Sequence, residues 1–545
     1  MRNPQRPALL FLCAAGAAGF FFGLPNAVLH LPFAALLHPF CLYLIASRAA
    51  SDGEVIIYGW LQGFLSNAAG LYWLAWPMLD VADMPPALVL PLLLALYALL
   101  ACYSALAAFA ARSFRLAFAA EDGAGRRIPL PRDTAPPVMS GLAYGGFEVL
   151  NSVLFSGFPW LTLSSAFAFF PVMLQGAAYT GGYALSAVYA ATACLCASLQ
   201  DGPGRTGRAC AALLIPAALF VCGVQRLSPG AGDRDDKAGM QAHLRFTAVQ
   251  GNIDQARKWD RDFQTATVEH YIRLSEKALA EEKNRQSGQS SLVVWPETAM
   301  PFYFSRRPEL DGMLRRFAAG HAVYLAFGGI ARDEDRKGAP LLHNSLFLLS
   351  PQGKIAGRYD KTHLVPFGEY VPVVDDIAFL RGLLQGMSFS PGTAPRPLVL
   401  DGPPPLSLGP LICYEAVFPY PAQEQVRQGA DILLNVSNDA WFRKSSAPLQ
   451  HLAHSAVRAV EQARPLIRAT NTGISAVFDA EGRLTTRVEG LFTEACLQAE
   501  VTAGAEATLY HRLSPLPELF LAATAATALV LGALRRRAGC RNATI

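Results

Sequence analysis

Hydrophobic positions follow two regimes along this chain. Seven apolar runs, each near the roughly 20 residues that carry a helix across a bilayer, occupy residues 8–24, 27–46, 55–78, 88–111, 138–157, 176–198 and 209–224, and an eighth occupies 513–534. Between the seventh and eighth the pattern changes to short apolar runs alternating with amphipathic helical stretches, the rhythm of an α/β domain. The chain is therefore expected to hold a membrane part over 1–225, a linker rich in Gly, Asp and Arg over 226–243, an α/β domain over 244–502, a last span and a tail over 535–545.

Within the polar part, 244–249 reads as a strand leading into Gln250-Gly251-Asn252, and Phe263, Thr267, Tyr271, Leu274 and Ala278 trace one face of a helix. Residues 292–295 form a buried strand that Pro296 stops, leaving Glu297 at its exit. Runs at 323–328, 406–412, 432–436, 466–470 and 475–478 read as further strands, 449–462 as a helix, and 345–349 with 354–359 as a hairpin around Pro351-Gln352-Gly353. The hairpin's second strand delivers Lys361, and the run 406–412 delivers Cys413.

Composition agrees with the split. A hydrophobic fraction of 52% with 16% charged residues belongs to membrane proteins rather than soluble ones. Every lysine lies at or after Lys237, and residues 1–225 carry ten arginines and nine acids. The net charge of +4 is spread over both parts and gives no support to nucleic-acid binding. Arginines follow the even-numbered runs: Arg48, then Arg112, Arg115, Arg126, Arg127 and Arg132, then Arg205 and Arg208, then Arg535, Arg536 and Arg537, with Arg2 and Arg6 at the start. By the positive-inside rule both termini are cytoplasmic and the α/β domain lies outside the cytoplasm. The first run reads as an uncleaved anchor, because further spans follow it at once.

Candidate chemistry adds detail. Cys413 and Cys496 are the cysteines of the polar part, and no Cys/His spacing there suits zinc. Pairing them would consume the thiol to which the other residues point. Glu148 inside an apolar run is a functional candidate or a structural hydrogen-bonding group. Gly157 to Leu161 reads as an interfacial or re-entrant element, or as aromatic anchoring. Three strand ends present Glu297, Lys361 and Cys413, a set complete for acyl transfer through a thioester. The thiol attacks a carbonyl, the carboxylate takes its proton, and the ammonium with the Tyr414 N–H stabilises the oxyanion.

Trp295-Pro296-Glu297, Tyr359-Asp360-Lys361-Thr362-His363-Leu364 and Ile412-Cys413-Tyr414-Glu415 resemble the three signature segments of the nitrilase superfamily. That resemblance covers 244–502 and implies a four-layer α-β-β-α sandwich with a Glu-Lys-Cys triad. Gln250-Gly251-Asn252-Ile253, Gln255, Lys258-Trp259, the run 363–372, Asn435 to Phe442, Gln450-His451, and the segments at Arg464-Pro465 and Thr470 to Gly473 are similar to the membrane-embedded apolipoprotein N-acyltransferase branch. The resemblance makes Glu297 the general base, Lys361 the oxyanion stabiliser and Cys413 the nucleophile. Glu369, Tyr414 and Glu415 match supporting positions, Trp259 matches an aromatic of substrate handling, and Phe158-Pro159-Trp160-Leu161 matches a membrane segment.

The resemblance implies a bacterial inner-membrane enzyme with a periplasmic catalytic domain. It takes a fatty acyl chain from a membrane phospholipid and passes it to the α-amino group of a diacylglyceryl-modified N-terminal cysteine on an apolipoprotein. No cofactor or metal is expected, and a monomer suffices. Apolar residues at 300–304 and 379–387 are candidate lids or acyl-chain contacts, with ordinary packing as the alternative. Two other readings use the same residues: a membrane-tethered amidase of small amides, which leaves the spans without purpose, and a transporter or scaffold with a non-catalytic outer domain, which leaves the triad without purpose.

Overall fold

The two regimes of the sequence become two units in the computed structural model, which describes residues 5–119, 133–201, 204–228, 242–254, 263–281, 291–370, 388–402, 404–504 and 506–542. One unit comprises Met1–Ala231, Ser445–Ala453 and Thr508–Ile545, and the other Gly232–Lys444 and His454–Ala507.

The first unit is helical: α1 (Arg6–Gly23), α2 (Leu37–Arg48), α3 (Asp52–Gly70), α4 (Pro86–Ala119), α5 (Ala135–Val153), α6 (Gly182–Ala197), α7 (Arg205–Leu227) and the C-terminal helix Leu516–Asn542. Six of these are long and apolar enough to cross a membrane among the described residues, namely all except α2 and α3. The difference from the eight expected runs has local causes. Asn26 folds the second run's start into a loop: its Nδ2 donates to Leu24 O at 3.0 Å and Leu29 O at 2.7 Å, and its Oδ1 accepts from the Val28 and Leu29 N–H groups. A 3-10 turn over Pro32–Leu36 follows, so α2 itself has 12 residues. In α3, Ser51 caps a first turn carrying Asp52 and Glu54, and Gln62, Ser66 and Asn67 interrupt the apolar run.

Arginines collect at one end of this unit. Asp52 pairs with Arg112 at 2.9 Å, Arg535 at 2.8 Å and Arg536 at 2.9 Å, while Arg115 pairs with Asp201 and Arg48 donates to Gln200. Elsewhere small residues set the packing: a Cβ on Gly141 would overlap Ala191 of α6, and one on Gly146 would overlap the Leu521 carbonyl of the C-terminal helix. Close backbone approach of this kind is how helices associate where lipid removes the hydrophobic drive. Glu148 accepts from the Leu163 N–H at 2.8 Å through Oε1 and lines a cavity of about 70 Å³ with His38, Ser66, Asn67 and Asn151. Trp160 is buried, its indole donating to Gln450 at 2.9 Å beside Trp73, so it does not serve as a surface anchor.

The second unit holds two sheets. The strands are β1 (His243–Gln250), β2 (Ser291–Val294), β3 (Met300–Tyr303), β4 (Tyr324–Glu334), β5 (Pro340–Leu349), β6 (Ile355–Asp360), β7 (Leu398–Leu400), β8 (Leu406–Ile412), β9 (Ile432–Ser437), β10 (Leu466–Thr470), β11 (Ala476–Phe478), β12 (Leu484–Arg487) and β13 (Ala495–Thr502). The first sheet runs β13-β1-β2-β4-β5-β6 with β3 against β4, and the second runs β12-β11-β10-β9-β8-β7. Leu292, Val294, Leu346 and Leu348 of the first meet Leu408, Ile412, Leu434 and Ile467 of the second in one buried core.

On the first sheet's other face, Val293, Trp295, Leu325 and Phe327 pack on Tyr271 and Leu274 of α8 (Phe263–Glu281) and Leu314 and Phe317 of α9 (Pro308–His321). Helix α10 (Pro419–Arg427) lies over the second sheet, Gln425 donating to Pro410 O at 2.9 Å, followed by α11 (Ala447–Gln462). This is the α-β-β-α order. Of the two readings of residues 300–304, lids or chain contacts and ordinary packing, the second holds: Met300, Phe302 and Phe304 are core residues on β3 and just beyond it. Residues 379–387, the other expected lid, lie outside the described residues.

Helix packing in the first unit can be tested with paired glycine substitutions. Gly146→Ala should lower the thermal unfolding midpoint in detergent, in the range of overpacking costs of about 1–3 kcal/mol. Gly53→Ala, whose Cβ meets only Ser51 Oγ at 3.7 Å, should be neutral. Equal effects from the two would contradict the close contact.

Candidate functional site

Parallel pairing puts the carboxyl ends of strands along one edge of each sheet: β1, β2 and β4 run parallel in the first, as do β8, β9 and β10 in the second. Glu297 follows β2, Lys361 follows β6 and Cys413 follows β8. The turn after β2 crosses close over β4, where a Cβ on Gly328 would stand 2.6 Å from Pro296 O and 2.7 Å from Glu297 Cα. A bare backbone there lets the glutamate lie in the site, 6% exposed.

Lys361 is 1% exposed, and its backbone N–H bonds Asn344 O at 2.9 Å, which fixes where β6 ends against β5. Its ammonium donates to Glu369 at 2.9 Å and stands 3.6 Å from Glu297 Oε1. Burial alone would lower the Lys361 pKa, but Glu369, Glu297 and the Cys413 sulfur push it above the ordinary lysine range. The lysine is therefore a fixed positive charge. Glu297 also accepts from Asn344 Nδ2 at 2.8 Å and from the Asn438 N–H at 2.9 Å, and Glu369 accepts from the same Asn344 amide at 2.7 Å and from the Val365 N–H at 2.8 Å.

Cys413 has φ of 52°, a left-handed conformation that costs a non-glycine residue about 1–2 kcal/mol. It turns the chain from β8 into a 3-10 helix, Cys413–Val417. Glu415 holds that turn. Fully buried, it accepts from the Ile412 N–H at 2.7 Å and, through its other oxygen, from Tyr359 OH at 2.7 Å, the Thr362 N–H and hydroxyl at 2.8 Å each and the His363 N–H at 3.1 Å. One side chain thus ties the exit of β8 to the exit of β6. Burial raises the Glu415 pKa and these donors oppose the rise. Burial also raises the Cys413 thiol above its ordinary value, Glu297 adds to this, and Lys361 and a hydrogen bond with Ser437 work against it. A thiol raised in this way is neutral at rest, and used as a nucleophile it would need a base.

The structure brings together Glu297, Lys361, Cys413, Glu369 and Glu415, and packs the buried Tyr414 ring against Phe418 at 5.0 Å and His363 at 5.7 Å. Trp259 lies outside the described residues. Asn344 was not anticipated; its sequence signal is the polar trio His343-Asn344-Ser345 inside an otherwise apolar strand. Ser437 and Asp439 were expected only as part of a similar segment. Ser437 donates to Asp439 at 2.8 Å, and Asp439 is paired at 2.8 Å with Arg468, both fully buried. Among the described residues one group, Asp333, His343 and Asp360, has ligand atoms close enough for a metal ion. Arg358 already occupies it, bonding Asp360 at 2.7 Å and Asp333 at 3.1 Å, so it reads as an ion network.

Comparison with known proteins follows the same division. Residues 245–510 match the carbon-nitrogen hydrolase family and residues 18–195 match the apolipoprotein N-acyltransferase N-terminal domain. The chain is similar to an apolipoprotein N-acyltransferase from Geobacter metallireducens, 34% identical over 507 residues, covering 91% of this chain and 90% of that one. It is also similar to one from Rhizobium rhizogenes, 36% identical over 440 residues, covering 79% of this chain and 77% of that one. A solved carbon-nitrogen hydrolase from Helicobacter pylori G27 aligns at 20% identity with a TM-score of 0.34, covering 51% of this chain and 94% of its own. With more than 30% identity across nine-tenths of a relative and both domain patterns in order, the chain belongs to the apolipoprotein N-acyltransferase family.

Proposed function

We infer that this N-acyltransferase works by a two-stage transfer in which Cys413 carries the acyl chain. In the first stage Glu297 takes the Sγ proton as sulfur attacks the ester carbonyl of a membrane phospholipid. Lys361, with the Tyr414 N–H, stabilises the oxyanion, and the departing lysophospholipid alkoxide recovers the proton from Glu297. In the second stage the neutral α-amine of a diacylglyceryl-cysteine attacks the thioester. Its proton passes to Glu297 and on to sulfur, leaving an amide and the free thiol.

The observation that carries this reading is the buried ammonium of Lys361 beside Glu297, with both acting on the Cys413 sulfur. A fixed positive charge next to a neutral thiol and a carboxylate supplies a base and an oxyanion partner without a permanent thiolate. Both substrates are lipids, and each methylene withdrawn from the bilayer costs about 0.8 kcal/mol, so chemistry at the membrane surface avoids that cost. In the chain, the catalytic domain follows α7 and precedes the C-terminal helix, which supports tethering at both ends. The arginines gathered at one end of the helical unit support cytoplasmic termini and a periplasmic catalytic domain in the inner membrane.

Incubation with a phospholipid labelled in its acyl chain should give a Cys413 adduct in the wild type and none in Cys413→Ala. In Glu297→Gln adduct formation should slow by about 100-fold or more, the scale of a lost general base. A Cys413→Ala variant that still becomes labelled at the site, or a Glu297→Gln variant as fast as wild type, would sink the assignment.

The raised thiol makes a second prediction. The ultraviolet thiolate absorbance of wild type minus Cys413→Ala should stay absent from about pH 6 to about pH 8, where a free cysteine of ordinary pKa begins to ionise. A thiolate signal already complete near pH 7 would mean that Lys361 dominates and no base is needed.

A further inference from the structure

We propose that Asn344 is a positioning residue for the acyl-transfer reaction, holding Glu297 and Glu369 as two separate carboxylates on either side of one amide. Its two Nδ2 hydrogens are divided between them, 2.8 Å to Glu297 Oε1 and 2.7 Å to Glu369 Oε1. The residue is 3% exposed, and its Oδ1 has no hydrogen-bond partner among the described residues. An orphaned buried acceptor is costly, and a flipped amide would aim that oxygen at two carboxylates instead. The orientation is therefore dictated by the acids, and the oxygen is left unpaired as the consequence.

The need for such a group follows from the charges. Lys361 is nearer Glu369, at 2.9 Å, than Glu297, at 3.6 Å, so the ammonium is drawn toward the acid that does not act as base. Asn344 restores a strong donor to Glu297, alongside the Asn438 N–H. It also separates the two carboxylates without adding charge. Among the described residues, the other charged or titratable groups facing this cluster are Cys413 from the end of β8, Glu415 from the 3-10 helix, which acts on Lys361, and Asp439 beyond β9, which acts on Cys413. Backbone pairing of Asn344 with Ile330 in the β4–β5 ladder does not depend on its side chain, so Asn344→Ala keeps the strand.

The inference rests on Glu297 being the base. The experiment measures kcat, KM and the pH profile of wild type, Asn344→Ala, Asn344→Asp and Glu297→Gln, with thermal unfolding midpoints as the folding control. Asn344→Ala should lose about 10- to 100-fold in kcat, the scale of a lost hydrogen bond to a charged group, with KM little changed. Its pH–kcat profile should change together with kcat, because the hydrogen bonding around the reacting groups has changed. Asn344→Asp should be worse near neutral pH and recover toward acid, since a proton must replace the lost N–H. Two results would overturn the role: wild-type kcat and pH profile in both variants, or a loss that follows unfolding with an unshifted profile. If instead Glu297→Gln keeps full activity, the base assignment itself fails, whatever Asn344 does.

Discussion

The buried ammonium of Lys361 is the interaction on which the catalytic unit is organised. An ammonium withdrawn from water costs several kcal/mol unless carboxylates and hydrogen bonds compensate it, and here Glu369 and Glu297 both do so. Removing either partner leaves the buried ammonium only partly compensated. The ends of β2 and β6 are thereby locked to the middle of β5, with Asn344 bridging the two acids. Glu415 extends the lock to the second sheet, since its five donors come from the exits of β6 and β8. Cys413 inherits its position, and its left-handed backbone, from that clamp.

This arrangement suits a transferase better than a constantly ionised cysteine would. A neutral thiol is a poor metal ligand and slow to oxidise, and in the proposed mechanism it becomes a nucleophile only when a substrate carbonyl is in place for Glu297 to take the proton. In that mechanism the second stage requires an amine rather than water to reach the thioester. The membrane part supplies long apolar helices packed through small residues, and its arginines are neutralised in part by Asp52 and Asp201 at a single end.

Much of the site was readable in the sequence, because strand exits are where turn-forming residues interrupt apolar runs. Pro296 before Glu297, the hairpin before Lys361 and the run before Cys413 all carried that signal, and the hairpin pairs as expected, Leu346 opposite Tyr359. What escaped depends on neighbours across the sheet. Asn344 acquires its role only when β5 lies between the exits of β2 and β6. The apolar run from Met300 to Phe304 has the same composition whether it lines a lid or a core, and the β3–β4 pairing decides for the core. Strand β13 went unread because an edge strand with only two of its eight residues buried lacks a sustained apolar run. Fewer helices than runs are long and apolar enough to span among the described residues, because Asn26 folds the start of the second run into a loop and Gln62, Ser66 and Asn67 interrupt the third.

The proposed mechanism requires an acyl chain that rests on Cys413 between two half-reactions. Its most direct test is a chase: load the wild-type enzyme with labelled phospholipid, remove the donor, and add a diacylglyceryl-cysteine peptide. Loss of label from Cys413 should match, mole for mole and at the turnover rate, the appearance of label on the peptide's α-amine. Product that forms only while donor is present, with the Cys413 label untouched, would contradict it.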